Sequence, residues 1–209
     1  MFERQINEII SFAKKMEYEG IAASGDTLSM RVTDGMLVSA ADKNLGELTE
    51  ADVRFVSAKD KTEGAAKLHQ TVYAEREDIS AIITNHAPYC GIAGNNMKKL
   101  PAALDDMAQI VGPTAKVAPS GEIRTVLKTL KGRNACLVKG DGAIATGRTV
   151  DEAFTGCMVL EKGAKAYVEA TVLGGAKIIP YLEGVLMRFV YKKKYSKQNQ
   201  TEKMEEMKA

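Results

Sequence analysis

The run Ile79-Ser80-Ala81-Ile82-Ile83, followed by Thr84-Asn85-His86-Ala87-Pro88, constrains this chain more than any other stretch. It is apolar and β-branched, and reads as a strand. It ends in a polar tip, and Pro88 then breaks the chain. In α/β folds, ligands gather where strands end and loops begin, so chemistry is expected at Thr84, Asn85 and His86. His86 is one of only two histidines among 209 residues.

Before this strand, Phe2, Ile6, Ile9, Ile10, Ala13 and Met16 recur at helical spacing, and Gly20 closes that helix. Ser24-Gly25-Asp26-Thr27-Leu28-Ser29 is either a polar loop entering a strand or a set of donors facing a ligand. Met30-Arg31-Val32 and Met36-Leu37-Val38 flank Asp34-Gly35, a hairpin signal. Asp52 to Val56 alternates as a half-buried strand does. Thr62 caps a helix running to Tyr73, with Glu63 in its first turn, where the helix dipole favours an anion. His69 sits beside that helix's apolar stripe and reads as a packing histidine.

After His86, Leu100 to Ile110 reads as a helix that Pro101 begins. Pro119-Ser120-Gly121 is a turn, and Ile123, Val126, Leu127 and Leu130 make a short amphipathic helix. Two apolar strands, Ala135 to Val138 and Ala143 to Ala145, enclose the turn Lys139-Gly140-Asp141-Gly142. Thr149 caps a long helix with Ala153, Cys157, Leu160, Ala164 and Tyr167 on one face. No repeat or linker divides the chain. The expectation is one domain over residues 1–190, with a charged C-terminal tail over 191–209.

The net charge of +2 and the single dense basic run, Lys192-Lys193-Lys194, argue against a nucleic-acid partner. No apolar run is long enough to span a bilayer. Three cysteines, Cys90, Cys136 and Cys157, form no Cys-x-x-Cys pair, which points to a reducing, cytoplasmic setting.

In order and spacing, these blocks resemble the class II aldolase/adducin family, in the branch of the L-fuculose-1-phosphate aldolases. Ser24 to Ser29, Asp34 to Val38, Leu48 to Val53, Thr62-Glu63 to His69, Tyr73 to His86, Cys136 to Gly147 and Glu152 to Ala164 carry the likeness. The resemblance implies a single three-layer α/β/α domain around a central, mostly antiparallel sheet. It also implies a homo-oligomer, commonly a tetramer with active sites between subunits.

In the family's enzymes, three histidines and a glutamate surround zinc, which polarises a sugar-phosphate carbonyl while the glutamate moves a proton. Carried over, the catalytic glutamate is Glu63, and the retained metal-ligand positions are His86 and Asp141. Thr84 stands at one histidine position and Asp141 at another. The substrate-binding positions fall on Asp26, Ser29, Lys61 and Thr62, and the family's proton-donating tyrosine falls on Ser120. Two readings follow. One is a divergent sugar or sugar-phosphate aldehyde-lyase using zinc, manganese or iron at an altered site. The other is a non-catalytic binding or assembly protein on the same fold.

Overall fold

The computed structural model describes residues 2–206, with side chains to Lys194. Helix α1 (Glu3–Tyr18) buries Ile9, Phe12, Ala13 and Met16. Gly20 follows it at φ +69°, a backbone conformation that glycine adopts without strain. Strands β1 (Thr27–Val32) and β2 (Gly35–Ser39) form the expected hairpin. Because Val32 pairs with Gly35, the turn residues are Thr33 and Asp34, and Asp34 takes the positive φ of 61°. Gly35 belongs to the strand; a side chain there would strike the Val56 carbonyl oxygen of β3 (Val53–Ser57).

Helix α2 (Gly64–Glu75) begins one residue later than its sequence pattern suggests. Its N-cap is Glu63, because the Thr62 hydroxyl donates instead to Gln70 Oε1 at 2.7 Å. Strand β4 (Ala81–Asn85) is the strand expected before His86. Pro88 starts a helix, α3 (Pro88–Asn96), as proline does where its missing N–H is not needed.

The helix expected over Leu100 to Ile110 is a correction. Lys99–Pro101 forms β5, which pairs with β6 (Thr114–Ala118), and only Asp105–Ile110 is helical, as α4. Pro101 takes an edge-strand position, where a missing donor costs nothing. Helix α5 (Ile123–Leu130), β7 (Ala135–Val138), β8 (Ala143–Gly147) and α6 (Val150–Val172) lie where expected. The Thr149 side chain accepts from the Glu152 N–H at the start of α6. Helix α7 (Tyr181–Glu206) runs without a break through residue 190, and residues 207–209 of the expected tail lie outside the described residues.

Among the described residues the strands form one sheet in the order β3-β2-β1-β4-β8-β7-β6-β5. Every neighbouring pair is antiparallel except β6 and β7. Alternation along each strand divides the core. Leu37, Ile83, Leu137 and Ala145 face the layer of α1, α3, α4 and α6. Met36, Ile82, Cys136 and Ile144 face α2 and α5. This is a three-layer α/β/α domain around a mostly antiparallel sheet. All three cysteines are unpaired and buried.

Candidate active site

Strand β4 lies between β1 and β8 and runs antiparallel to both. Its C-terminal end therefore meets the beginnings of its two neighbours. Thr84 pairs with Thr27 and Asn85 pairs with Ala143. The residue before Thr27 is Asp26, and the turn before Ala143 carries Asp141. Register alone brings both carboxylates to His86.

His86 Nδ1 lies 2.6 Å from Asp26 Oδ1, and Nε2 lies 3.2 Å from Asp141 Oδ1. The Asp26 side chain is fully buried, that of His86 is about one-third exposed, and that of Asp141 is exposed. The Ala23 N–H donates to the other Asp26 oxygen at 2.8 Å. The Asp26 hydrogen bond, reinforced by Asp141, pushes the His86 pKa up to about 9 against its partial burial. Burial pushes Asp26 upward, opposed by the bonds from His86 and Ala23. With its pKa near 9, His86 is kept protonated at neutral pH, and its Nδ1–H is aimed at Asp26.

The Asp141 turn is held tightly. Gly140 and Gly142 both have positive φ, and the Gly140 N–H donates to Asn95 Oδ1 at 2.9 Å. Gly142 packs so close to β4 that a Cβ would strike the Asn85 carbonyl oxygen. The Ser120-Gly121 turn also arrives here, since a Cβ on Gly121 would stand 3.1 Å from Asp141 Oδ2.

A cleft of about 460 Å³ opens beside this cluster, lined by Glu63, Thr27, Ser39, Lys43 and Arg54 among others. Thr27 connects the two, because it follows Asp26 in sequence and its hydroxyl lies 2.6 Å from that of Thr84. Lys61 is exposed and Thr62 half-buried next to Glu63. Ser29 lies elsewhere. It is buried under α2, its hydroxyl 2.9 Å from both His69 Nδ1 and the Tyr73 hydroxyl, so it has no open side for a substrate. Burial pushes the His69 pKa down to about 3, which makes it the neutral packing histidine expected.

Sequence reading named Thr27 only within the Ser24 to Ser29 loop and overlooked Asn95. Neither carries a distinctive local pattern, and each is recognised only through its contact with another strand or turn.

The donors can be tested against zinc. His86 Nε2 and Asp141 Oδ1 face each other, while the Thr84 hydroxyl is engaged by Thr27. Among the described residues no group of three or more His, Cys, Asp or Glu side chains stands close enough to hold a metal ion. A catalytic zinc takes three protein ligands and an open position. The residues present do not fit that ion.

Comparison with known proteins agrees with the fold. The chain is 26% identical over 196 residues to a 5-methylthioribulose-1-phosphate/5-deoxyribulose-1-phosphate aldolase of Rhodospirillum rubrum, covering 87% of this chain and 89% of that protein. It is 26% identical over 188 residues to an L-fuculose phosphate aldolase of Escherichia coli, covering 84% and 86%. A solved L-fuculose 1-phosphate aldolase superposes with a TM-score of 0.82 at 25% identity, over 90% of this chain and 95% of that one. The family model for the class II aldolase and adducin N-terminal domain matches residues 7–168. A match over most of the chain, on a sheet whose register assembles the cluster at the end of β4, makes this protein a member of the class II aldolase and adducin family.

Proposed function

We propose that this chain is a sugar-phosphate aldehyde-lyase that cleaves a ketose 1-phosphate, with its carbonyl-polarising group built on His86. The convergence of Asp26, His86 and Asp141 beside the Glu63 cleft carries this reading. The relatives' names supply the substrate class. Described helices include none long and apolar enough to cross a membrane, and the three buried thiols suit a reducing cytoplasm.

In the cleavage, Glu63 takes the proton from the hydroxyl on the carbon that becomes the aldehyde. The carbon–carbon bond then breaks, and its electron pair passes into an enediolate whose oxygen gains the charge. His86, kept protonated by Asp26, donates its Nε2–H to that oxygen once the exposed Asp141 yields it. A positioned cation of this kind stabilises charge as it develops. The proton returns from Glu63 to the enediolate carbon, releasing the second product. Lys43 and Arg54 supply positive charge for the phosphate, with Lys61 and Thr62 at the same mouth. Asp26 acts as a positioning residue through His86. Ser29 is withdrawn from the substrate set.

The test is retro-aldol turnover of five- and six-carbon ketose 1-phosphates, followed by coupled detection of the triose phosphate, with and without added zinc or manganese. Metal-independent turnover, lowered about a hundredfold or more in Glu63→Gln, is the expected result. Turnover that appears only with metal would overturn the His86 role and leave the lyase reading standing.

A second reading is favoured by one observation: both His86 nitrogens face carboxylates and the Thr84 hydroxyl faces Thr27. On that reading the chain binds a phosphorylated sugar without cleaving it. Calorimetric binding with no turnover under any metal condition would favour it.

A further inference from the structure

Arg76, Arg133, Arg148 and Arg188 gather at the end of the sheet away from His86. Strand β4 joins the two ends over roughly 17 Å. Its first residue, Ala81, pairs with Gly147 at the finish of β8. Arg76 donates from Nη1 to the Arg133 carbonyl at 2.9 Å, and grips Asp78 with Nε and Nη2 at 2.6 and 2.8 Å. Arg148 is paired with Glu152. Arg188 reaches in from α7, its Nη1 2.7 Å from the Ile110 carbonyl and its Nη2 3.4 Å from Asn134 Oδ1.

Two of these arginines have carboxylates, whereas Arg133 and Arg188 bond only to neutral oxygens. Arg133 Nη1 makes one long bond, 3.3 Å to the Lys131 carbonyl, and its Nε is buried without a partner. Burial, with the nearby charges of Arg133 and Arg76, pushes the Arg188 pKa below its usual range. Withdrawing a cation from water is costly unless an anion compensates it, and a second cation beside it adds to the cost. Ile110 and Asn134, the two residues that Arg188 holds, line a cavity of about 210 Å³ with Gly147, Arg148, Asp151 and Tyr191. That is the space of roughly seven waters. Of the carboxylates in the lining, Asp78 and Glu152 are engaged by Arg76 and Arg148, and Asp151 is exposed on the first turn of α6.

We propose that this cavity binds a phosphate oxyanion, free or at the end of a phosphate monoester, held by the guanidinia of Arg133 and Arg188. Planar guanidinium forks match phosphate oxygens two at a time. Arg133 releases its long bond to Lys131, and its Nε–H gains the acceptor it lacks. Asn134 adds its amide N–H groups, since its oxygen is taken by Arg188. Two guanidinia without a carboxylate suit a dianion better than a singly charged ligand. The site stands apart from the catalytic cleft with its Lys43 and Arg54, and it does not depend on the lyase reading.

Titration of the full chain with inorganic phosphate, followed by the arginine Nε–H signals in nitrogen-15 NMR at constant ionic strength, tests the site. The Arg133 signal, assigned by its loss in Arg133→Lys, should move and saturate. Arg188→Met should weaken the binding about tenfold, as loss of a charge-assisted contact does. Arg188→Lys, which keeps the charge and so the fold, should weaken it about fivefold by losing the fork. Arg54→Ala, which removes a cation from the catalytic cleft, should leave the Arg133 titration in place. Methyl phosphate binding as tightly as phosphate would assign the site to an ester's phosphoryl group, and much weaker binding would assign it to the free ion. An Arg133 signal that stays still, or that moves equally with sodium chloride, overturns the proposal. So does a titration unchanged in both Arg188 variants or abolished in Arg54→Ala.

Discussion

His86 Nδ1 and Asp26 Oδ1 stand 2.6 Å apart although 60 residues separate them in the chain. The Asp26 side chain is fully buried, so water cannot stand in for it once it is lost. Replacing Asp26 by Asn should bring the His86 titration down from about 9 toward its ordinary value near 6.5. With only two histidines, imidazole proton NMR reads this directly. Because the folded-state pKa is raised, the bond's stabilisation is fully present below pH 6.5 and fades as pH rises through about 9. The stability gap between wild type and Asp26→Asn should therefore shrink in alkali. An unshifted His86 titration in the variant would show that Asp26 does not hold the proton there.

His69 behaves in the opposite sense. Its folded pKa is depressed to about 3 by burial, so below pH 6.5 the unfolded chain takes up a proton that the folded chain refuses. Stability should fall on acidification from pH 6.5, by at most about 1.4 kcal/mol per pH unit. His69→Phe should lose this contribution, so its stability should fall less than that of the wild type between pH 6.5 and 4.5, while Ser29 keeps its bond to Tyr73. Urea unfolding across this range checks it. An unchanged slope would assign the acid sensitivity to other groups.

Gly140 and Gly142 flank Asp141, both at positive φ, and differ in their surroundings. A methyl on Gly140 meets nothing within 4 Å, whereas one on Gly142 runs into the Asn85 carbonyl. Gly140→Ala should cost about 1 kcal/mol from backbone strain alone. Gly142→Ala should cost about 2–4 kcal/mol, because it also pushes the turn off β4. Urea midpoints give the comparison, and equal costs would show that the turn has room to move.

Much of the architecture was legible locally. The apolar run into Thr84 announced β4, the Thr149 cap announced α6, and two short apolar runs announced the β7–β8 hairpin. The helix over Leu100 to Ile110 was misread, because Lys99–Pro101 is a strand only by virtue of its pairing with β6. The charged end of α7 from Lys192 reads as a solvated helix, but its first turns escaped because one side of them is apolar and exposed, a pattern that a core-seeking reading does not reward. Ser29 carried a plausible loop signal, yet the pairing of β1 turned its hydroxyl under α2 toward His69 and Tyr73.

The sequence by itself determined most of the elements, the family likeness and the chemical types available: two histidines, Glu63, and carboxylates at Asp26 and Asp141. Tertiary structure decided which of them meet. Periodicity and turn chemistry are local properties of neighbouring residues. The pairings Thr27 with Thr84 and Ala143 with Asn85 are long-range, and they alone place two carboxylates from distant loops on the two nitrogens of one imidazole.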